Sequence, residues 1–579
     1  MRIVVTGIGV VSALGVGREE NLYALLNEQS GIAMPSVLHT VHSQLPVGEV
    51  KYSDSRLSSM AGIDAREILP RTSLLGILAA REALNNAAIE PDTNMAFVSG
   101  TTVGGMDLTE QHWDEYVSGH HTDTIALHEA GESTIAVARH LASDKAFAFV
   151  ATPSTACSSA LNAIVMGADM IRTGKVKYAL VGGSESLSLF HFNGFRSLMI
   201  LDEQPCRPFD ASRAGLNLGE GAGYLVLETE ESAKERGVEI LAYIGGYANT
   251  CDAFHQTASS DNGEGAYLAM TDAIKMAGLL PQDIDFVKAH GTATPNNDAA
   301  ESAALRRVFG TDMPLVCSTK AFTGHTTSAS GGLEAVFCIL AMKNCFVPAS
   351  LNWNRSDEHT IRPNPHTLKM KVRNILCNAF GFGGNESSLV LSSEPIELSK
   401  GNMPSEPMRE IACVSQTTLD DQSEFLSPLE ARRMTPQTRR IVIAAHKALH
   451  DAGITVPDAI ICATQWGCML QSMRFLVDML QSQEQDVKPT YFMQSTHNTI
   501  AATVAIRLGC HGYNNTYSQG KQSLDCAFLD VRNQMALGRI RNALVLEFDE
   551  QVEQWDQVLS HINKNTENIA RAYVYCVNE

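Results

Sequence analysis

The sequence has no pair of cysteines at Cys-x-x-Cys spacing. Its 13 cysteines are odd in number and scattered, mostly inside apolar segments such as Val336-Phe337-Cys338 and Ile461-Cys462. That pattern argues against a disulfide framework and a structural zinc site and suits buried thiols in a reducing compartment. No stretch approaches the roughly 18 apolar residues of a membrane-spanning helix. The opening run Ile3-Val4-Val5 is short and soon meets Arg18, Glu19 and Glu20, which does not suit a secretory leader. Positive charge is scarce: 44 Lys and Arg against 64 Asp and Glu give a formal charge of -20. With no basic tract, the chain is not expected to have nucleic acid as its main partner, although a local basic patch for an acidic protein is compatible with that balance. Aromatic residues make up only 6%, but 44% hydrophobic and 19% charged residues describe a globular chain, and 579 residues suit two to four domains. The expected compartment is cytoplasmic.

Short β-branched runs (Ile3–Val5, Ala96–Val98, Ala179–Val181, Tyr224–Leu227) alternate with stretches that are apolar at helical spacing, Leu74–Ala87 and Ala160–Ile171. This alternation reads as α/β with a layered sheet. Three prolines with serine and charge between Ser392 and Pro407 spell a linker, after which Ile411–Val414 begins a fresh strand. The tail beyond it resembles the first third of the chain. Arg439–Leu449 echoes Ser73–Leu84, Gly467-Cys468-Met469 echoes Gly104-Gly105-Met106, and Gly538–Val545 repeats Gly174–Val181. Sliding one copy onto the other by the last match places Lys521 where Cys157 stands. The tail copies only that half of the chain, a duplication on the scale of a domain.

Cys157 sits in Ser154-Thr155-Ala156-Cys157-Ser158-Ser159-Ala160, between an expected strand ending near Pro153 and an expected helix over Ser158–Ile171. A thiol at such a turn faces a positive helix end, which is expected to lower its pKa and supply backbone donors. Most of the other cysteines read as buried structural thiols, and taken alone Cys157 admits that reading too. His290 follows the strand-like Val287-Lys288-Ala289, and His325 follows Gly324 before an expected small-residue helix, Thr326–Gly332. Each histidine, alone, is also compatible with a core or loop residue. Lys320 would ordinarily be a solvated lysine, and Asp298 and Glu301 an exposed helix face. The glycines of Gly381-Phe382-Gly383-Gly384 permit close backbone approach, so an N–H there could join that of Cys157 around an oxyanion; the alternative is a tight turn. Gly7-Ile8-Gly9 lacks the third glycine and acidic partner of a dinucleotide fingerprint.

In order, these segments resemble the β-ketoacyl-acyl-carrier-protein synthases of the thiolase-like superfamily over residues 1 to about 395. The likeness rests on Val5-Thr6-Gly7-Ile8-Gly9, Thr155-Ala156-Cys157-Ser158-Ser159, Arg207-Pro208-Phe209-Asp210 and Leu218-Gly219-Glu220-Gly221-Ala222-Gly223. His290-Gly291-Thr292-Ala293-Thr294 with Asp298 and Glu301, Lys320 with Gly324-His325, Glu334, and Asn378–Gly384 complete it. The resemblance implies a layered α-β-α-β-α fold of two pseudo-repeated halves, 1–245 and 246–395. A linker over 396–408 and an incomplete, non-catalytic thiolase-like half over 409–579 follow. It also implies roles: Cys157 as acylated nucleophile, His290 and His325 for malonyl decarboxylation, Lys320 and Glu334 as a supporting pair. Phe382 would gate the pocket and share the oxyanion hole with Cys157; Thr292, Thr294, Asp298, Glu301 and Phe380 would support. No metal or organic cofactor is implied, since substrates arrive on the phosphopantetheine arm of an acyl carrier protein.

Gly215-Leu216-Asn217 and Gly383-Gly384-Asn385-Glu386 depart from the family's common pattern. Leu216-Asn217 is similar to synthases of aryl polyene pathways, and the tail, through Tyr491–Thr499 and His511–Thr516, resembles their chain-length-factor partners. His497 and His511 read as structural there. The implied function is polyketide-type chain elongation, with the tail an internal pseudo-partner or the chain a homodimer. Housekeeping fatty-acid elongation is the alternative. A thiolase would need a second cysteine where Phe380 and Phe382 stand, and a hydrolase would turn over acyl thioesters without malonyl.

Overall fold

The computed structural model of the chain describes residues 1–142, 146–398, 408–415, 422–432 and 434–577. The expected linker over 396–408 lies mostly outside them. Ile3–Ser12 is buried at every position, which suits a strand covered on both faces. It pairs antiparallel with Gly221–Thr229 and, through Ile3 to Val5, with Ala242–Cys251. Among the described residues an 11-stranded sheet extends from there in two matching wings, ten strands in all, with the short Gly15–Val16 paired to Ile3–Ser12 as the eleventh. One continues through Tyr178–Glu185, Met95–Gly100 and Phe149–Ala151; the other through Asn385–Ser392, Asn374–Gly381, Phe286–Lys288 and Leu315–Cys317. In each wing the three outermost strands run parallel.

The helices Ser159–Arg172 and Ser330–Lys343 are buried on nearly every side, so they form a middle layer enclosed by protein. They pack closely: a Cβ on Gly331 would lie 2.8 Å from the Leu161 backbone nitrogen. Arg71–Asn86 and Glu264–Met276 cover the outer faces with separate apolar cores.

The tail forms its own five-stranded sheet, Met408–Ser415, Ile569–Val577, Asn542–Asp549, Ala459–Ala463 and Tyr513–Tyr517, in the strand order of the first wing. Register repeats as well: Ala543 opposes Tyr575 and Val545 opposes Tyr573, as Ala179 opposes Leu227 and Val181 opposes Leu225. Among the described residues the tail has no counterpart of the second wing. It docks edge to edge on the first. Ser154 N–H donates to the Thr516 carbonyl at 2.8 Å and Ser518 N–H to that of Thr152 at 2.9 Å, so each edge strand covers the other. Ala459, Ile461 and Val545 share one apolar core with Ala163 and Val165.

Candidate active site

Cys157 lies on the turn Ala156–Ser158 between the edge strand at the seam and the middle helix Ser159–Arg172. Ala156 has φ of +53°, a left-handed conformation that costs a non-glycine residue about 1 kcal/mol. Local hydroxyls offset the strain. Thr155 N–H donates to Ser159 Oγ at 2.9 Å, Ser159 Oγ donates to the Ala156 carbonyl at 2.7 Å, and Ser158 Oγ donates to Asn385 Oδ1 at 2.8 Å. Gly381 passes directly beside this turn: a Cβ there would lie 2.8 Å from the Thr155 carbonyl and 3.2 Å from Cys157 N. The backbone N–H of Phe382 faces the Cys157 sulfur and favours its charged form.

His325 Nε2 stands 3.0 Å from Cys157 Sγ, and its Nδ1 stands 3.0 Å from Ser330 Oγ at the head of the second middle helix. The His290 ring meets the His325 ring edge-on, centroids 5.2 Å apart at 82°, with Phe380 behind it at 5.8 Å. Donor atoms of Cys157, His290 and His325 lie within 4.8 Å of one another, so one small reacting group can touch all three. A second trio of donor atoms at such spacing, His112, Glu115 and His121, is largely exposed and does not line this cleft.

Asp298 and Glu301 are buried, against the ordinary expectation for a helix face, and they hold the histidine loop by its backbone. Glu301 accepts the N–H groups of His290 and Gly291, each at 2.8 Å, while Asp298 accepts those of Phe209 and Ala293 at 2.7 and 3.1 Å. Thr292 and Thr294 bond each other at 2.9 Å and line the cleft. Lys320 is 1% exposed, not a solvated lysine, and bonds Glu334 Oε1. Lys288 was not singled out in the sequence, yet it too is 1% exposed and reaches Glu334 Oε2 at 2.8 Å. Its only sequence signal is its place two residues before His290 on the strand Phe286–Lys288.

Protonation departs from expectation at the thiol. Burial pushes Cys157 up to about 12, outweighing the opposing pull of Lys320 and the Phe382 N–H. The expected helix-end effect is therefore overridden, because this turn is enclosed. Burial also holds His290 and His325 well below the usual imidazole range, aided in both by the Lys320 charge. Burial thus favours the neutral thiol and the neutral imidazoles at this centre.

A cleft of about 440 Å³ opens onto Cys157, His290 and His325, with Thr292, Thr294, Phe380 and Phe382 in its wall and the highly exposed Met199 also lining it. Phe382 stacks on Phe195, ring centroids 5.7 Å apart. The tail reaches this residue: Asn498 Nδ2 donates to the Phe382 carbonyl at 2.8 Å. A second cavity, about 40 Å³, straddles the seam, lined by Thr102, His128 and His191 on one side and Gln465, Phe492 and His497 on the other. His497 thus lines a cavity with an unpartnered Nδ1, whereas His511 Nδ1 bonds the Cys251 carbonyl across the seam at 2.9 Å. Lys521 sits on the turn Gly520–Gln522 ahead of the helix Ser523–Ala536, the counterpart of the Cys157 turn, and is exposed.

Comparison with known proteins fits this geometry. The family model for the β-ketoacyl synthase N-terminal domain matches residues 1–233, and that for the C-terminal domain matches residues 241–354. A second N-terminal-domain model matches residues 406–574. The chain is 35% identical over 420 residues to 3-oxoacyl-[acyl-carrier-protein] synthase 2 of Vibrio harveyi, covering 67% of this chain and 98% of that protein. Among solved structures, the ishigamide ketosynthase/chain length factor aligns with a TM-score of 0.62 at 31% identity, over 68% of this chain and 99% of its own. The PfaC keto synthase–chain length factor aligns with all of this chain and 78% of its own, TM-score 0.80, at 18% identity, a likeness of fold.

Proposed function

Because the chain belongs to the β-ketoacyl synthase family and is a 3-oxoacyl-[acyl-carrier-protein] synthase, we propose that Cys157 is its acylated nucleophile and His290 and His325 its decarboxylating pair. The observation that carries this is the buried Sγ at 3.0 Å from His325 Nε2, at the cleft that also admits His290. Cys157 gives up its proton toward His325 as sulfur attacks the thioester of an acyl carrier protein, and the carrier leaves as a thiol. Malonyl carrier then enters. Carbon dioxide departs, the electron pair of the broken bond passes to an enolate, and N–H donors of His290 and His325 hold the enolate oxygen. The carbanion carbon attacks the Cys157 thioester, whose oxyanion lies between the N–H groups of Cys157 and Phe382. Collapse releases the thiolate, which takes up a proton, and the β-ketoacyl chain leaves on the second carrier. Holding both thioesters at one centre supplies much of the rate.

Phe382, in the wall of the outer cleft, is the gate to the acyl pocket. Asn498 on its carbonyl and the tail's share of the seam cavity support the tail as a pseudo-partner that shapes the acyl pocket within one chain. With Lys521 on the turn where the nucleophile would stand, the tail carries no second condensing centre. The ketosynthase and chain-length-factor relatives, with Leu216-Asn217, favour polyketide-type elongation of aryl polyene kind over fatty-acid housekeeping. Substrates come on phosphopantetheine, so the chemistry asks for no further cofactor.

The test is the intact mass of the full chain after incubation with aliphatic and aryl-type acyl carrier proteins, beside Cys157→Ala. An adduct that disappears in the variant supports the reading, and the preferred donor assigns the pathway. An adduct that persists in Cys157→Ala overturns it.

A further inference from the structure

We propose that Lys288 is a positioning residue for the decarboxylation step, holding Glu334 and placing a second buried cation beneath His290 and His325. This rests on the roles just given to those two histidines. Phe286–Lys288 is an interior strand, with Cys317 beside Lys288 on one neighbour and Cys377 on the other. Side chains alternate along a strand, so Lys288 shares the face of Phe286, which packs in the core with Leu333 and Cys338 of the middle helix. A lysine in that place is the costliest of residues unless an anion meets it. Glu334 is the anion, and it faces two ammonium groups at once: Lys320 on Oε1 and Lys288 on Oε2.

Two consequences follow. First, the Lys288 ammonium also donates to the Ala289 carbonyl at 2.5 Å, so the carboxylate it meets is tied to the strand that delivers His290. Second, the Lys288 ammonium adds a further positive charge to the buried Lys320–Glu334 pair beside the reacting centre. The charged or titratable groups around the two imidazoles are Lys320, Lys288, Cys157 and, toward His325, His191, together with Glu386 in the same cleft, Glu301 on the His290 N–H and Glu185, which acts on Cys157. Burial raises Glu386 well above the usual carboxylate range and raises Glu301 too, favouring their neutral forms. A positive potential there disfavours imidazolium, which keeps His290 and His325 as neutral donors, and it favours the malonyl carboxylate and the enolate that replaces it.

The experiment compares the full chain with Lys288→Met and Lys288→Arg. Malonyl-carrier decarboxylation is followed across pH, with acyl loading of Cys157 by intact mass as the measure of a folded site. Lys288→Met is expected to load acyl chains to completion while decarboxylation falls on the order of 10- to 100-fold. Removing a cation raises the imidazole pKa, so the low-pH limb of the decarboxylation profile moves to higher pH. Lys288→Arg restores the charge and returns rate and limb toward wild type. Should Lys288→Met fail to load, Lys288→Gln keeps a donor for Glu334 without the charge, and the same displaced limb is expected. A neutral variant with the wild-type rate and limb overturns the proposal, as does an arginine variant no better than methionine. A wild-type chain that never decarboxylates malonyl overturns the family-based roles of the histidines instead.

Discussion

Cys157 carries the tension of the site. Burial pushes its thiol up to about 12, so in the proposed reaction the proton leaves as the thioester is attacked, with His325 Nε2 at 3.0 Å as the base in reach. His325→Ala is therefore expected to lower malonyl decarboxylation by about 100-fold or more, within the range of lost acid–base groups. Acyl-Cys157 still forms, more slowly, through the N–H of Phe382 and the Lys320 charge; stopped-time intact mass separates the two effects. Lys521→Ala, at an exposed residue, should leave turnover within about twofold and the melting temperature unchanged. Cys157, His290 and His325 are legible through a local signal, a cysteine among small hydroxyl residues and histidines beside glycine, whereas Lys320, Glu334, Asp298 and Glu301 come only with the family resemblance. Lys288 has neither. Nothing in Val287-Lys288-Ala289 marks it, and only Glu334, brought over by the middle helix, makes it an interior cation. The thiol's pKa departs from the helix-end expectation for the same reason, since enclosure is set by the whole fold and the helix end by the neighbours in sequence.

Two helices of the first wing begin on borrowed carboxylates. Arg71–Asn86 starts after Pro70 with no cap of its own, and Asp107 accepts the Arg71 N–H at 2.8 Å. Leu189–Ser197 is capped by Ser188, and Glu110 adds acceptors for the Leu189 and Phe190 N–H groups at 2.8 and 2.9 Å. Burial raises Asp107 to about 7 and Glu110 to about 8. A carboxyl raised above its unfolded value contributes stability that is fully present below about pH 4 and lost as pH rises through the folded pKa. Buried histidines act oppositely: His128 is lowered to about 3 and His497 to about 4 by burial, so their contribution is present above about 6.5 and is lost on acidification. The two sets offset each other up to about pH 6.5, beyond which only the carboxyls titrate. The melting temperature should then fall by on the order of a few degrees between pH 6.5 and 8. Glu110→Gln should flatten that fall in calorimetry; an unchanged slope would remove Glu110 as its source. Element types were legible from β-branched runs and helical spacing, and the duplication from Gly174–Val181 against Gly538–Val545. These caps were not, since Asp107 and Arg71 meet only after the chain has folded back.

At the scale of the whole molecule, the tail completes a surface that the first wing leaves open, and the middle helix shows how firmly. Asp169 on that helix is fully buried and takes the Arg539 guanidinium on both oxygens at 2.7 and 2.9 Å, with Gln534 at 2.9 Å and the Tyr247 hydroxyl beside it. Arg539 and Gln534 come from the tail, and Arg539 also lies over the Tyr247 ring at 4.8 Å. Removing one partner of a buried pair leaves an uncompensated charge, at a cost of about 3–5 kcal/mol. Here Arg172, 4.0 Å from Asp169, recovers part of it, so Arg539→Met should cost about 3 kcal/mol. The loss falls on docking, because the tail keeps its own sheet and core. Arg539→Met is thus expected to lower the first unfolding transition and open the seam to limited proteolysis. Condensation should weaken as Asn498 leaves the Phe382 carbonyl, while acyl loading at Cys157 persists. Adding Asp169→Asn removes the stranded charge and should return much of the loss, a coupling above about 1 kcal/mol in a double-mutant cycle. If Arg539→Met melts and digests as the wild type does, the seam is held by its paired edges and shared core alone, and the ion pair contributes nothing to docking.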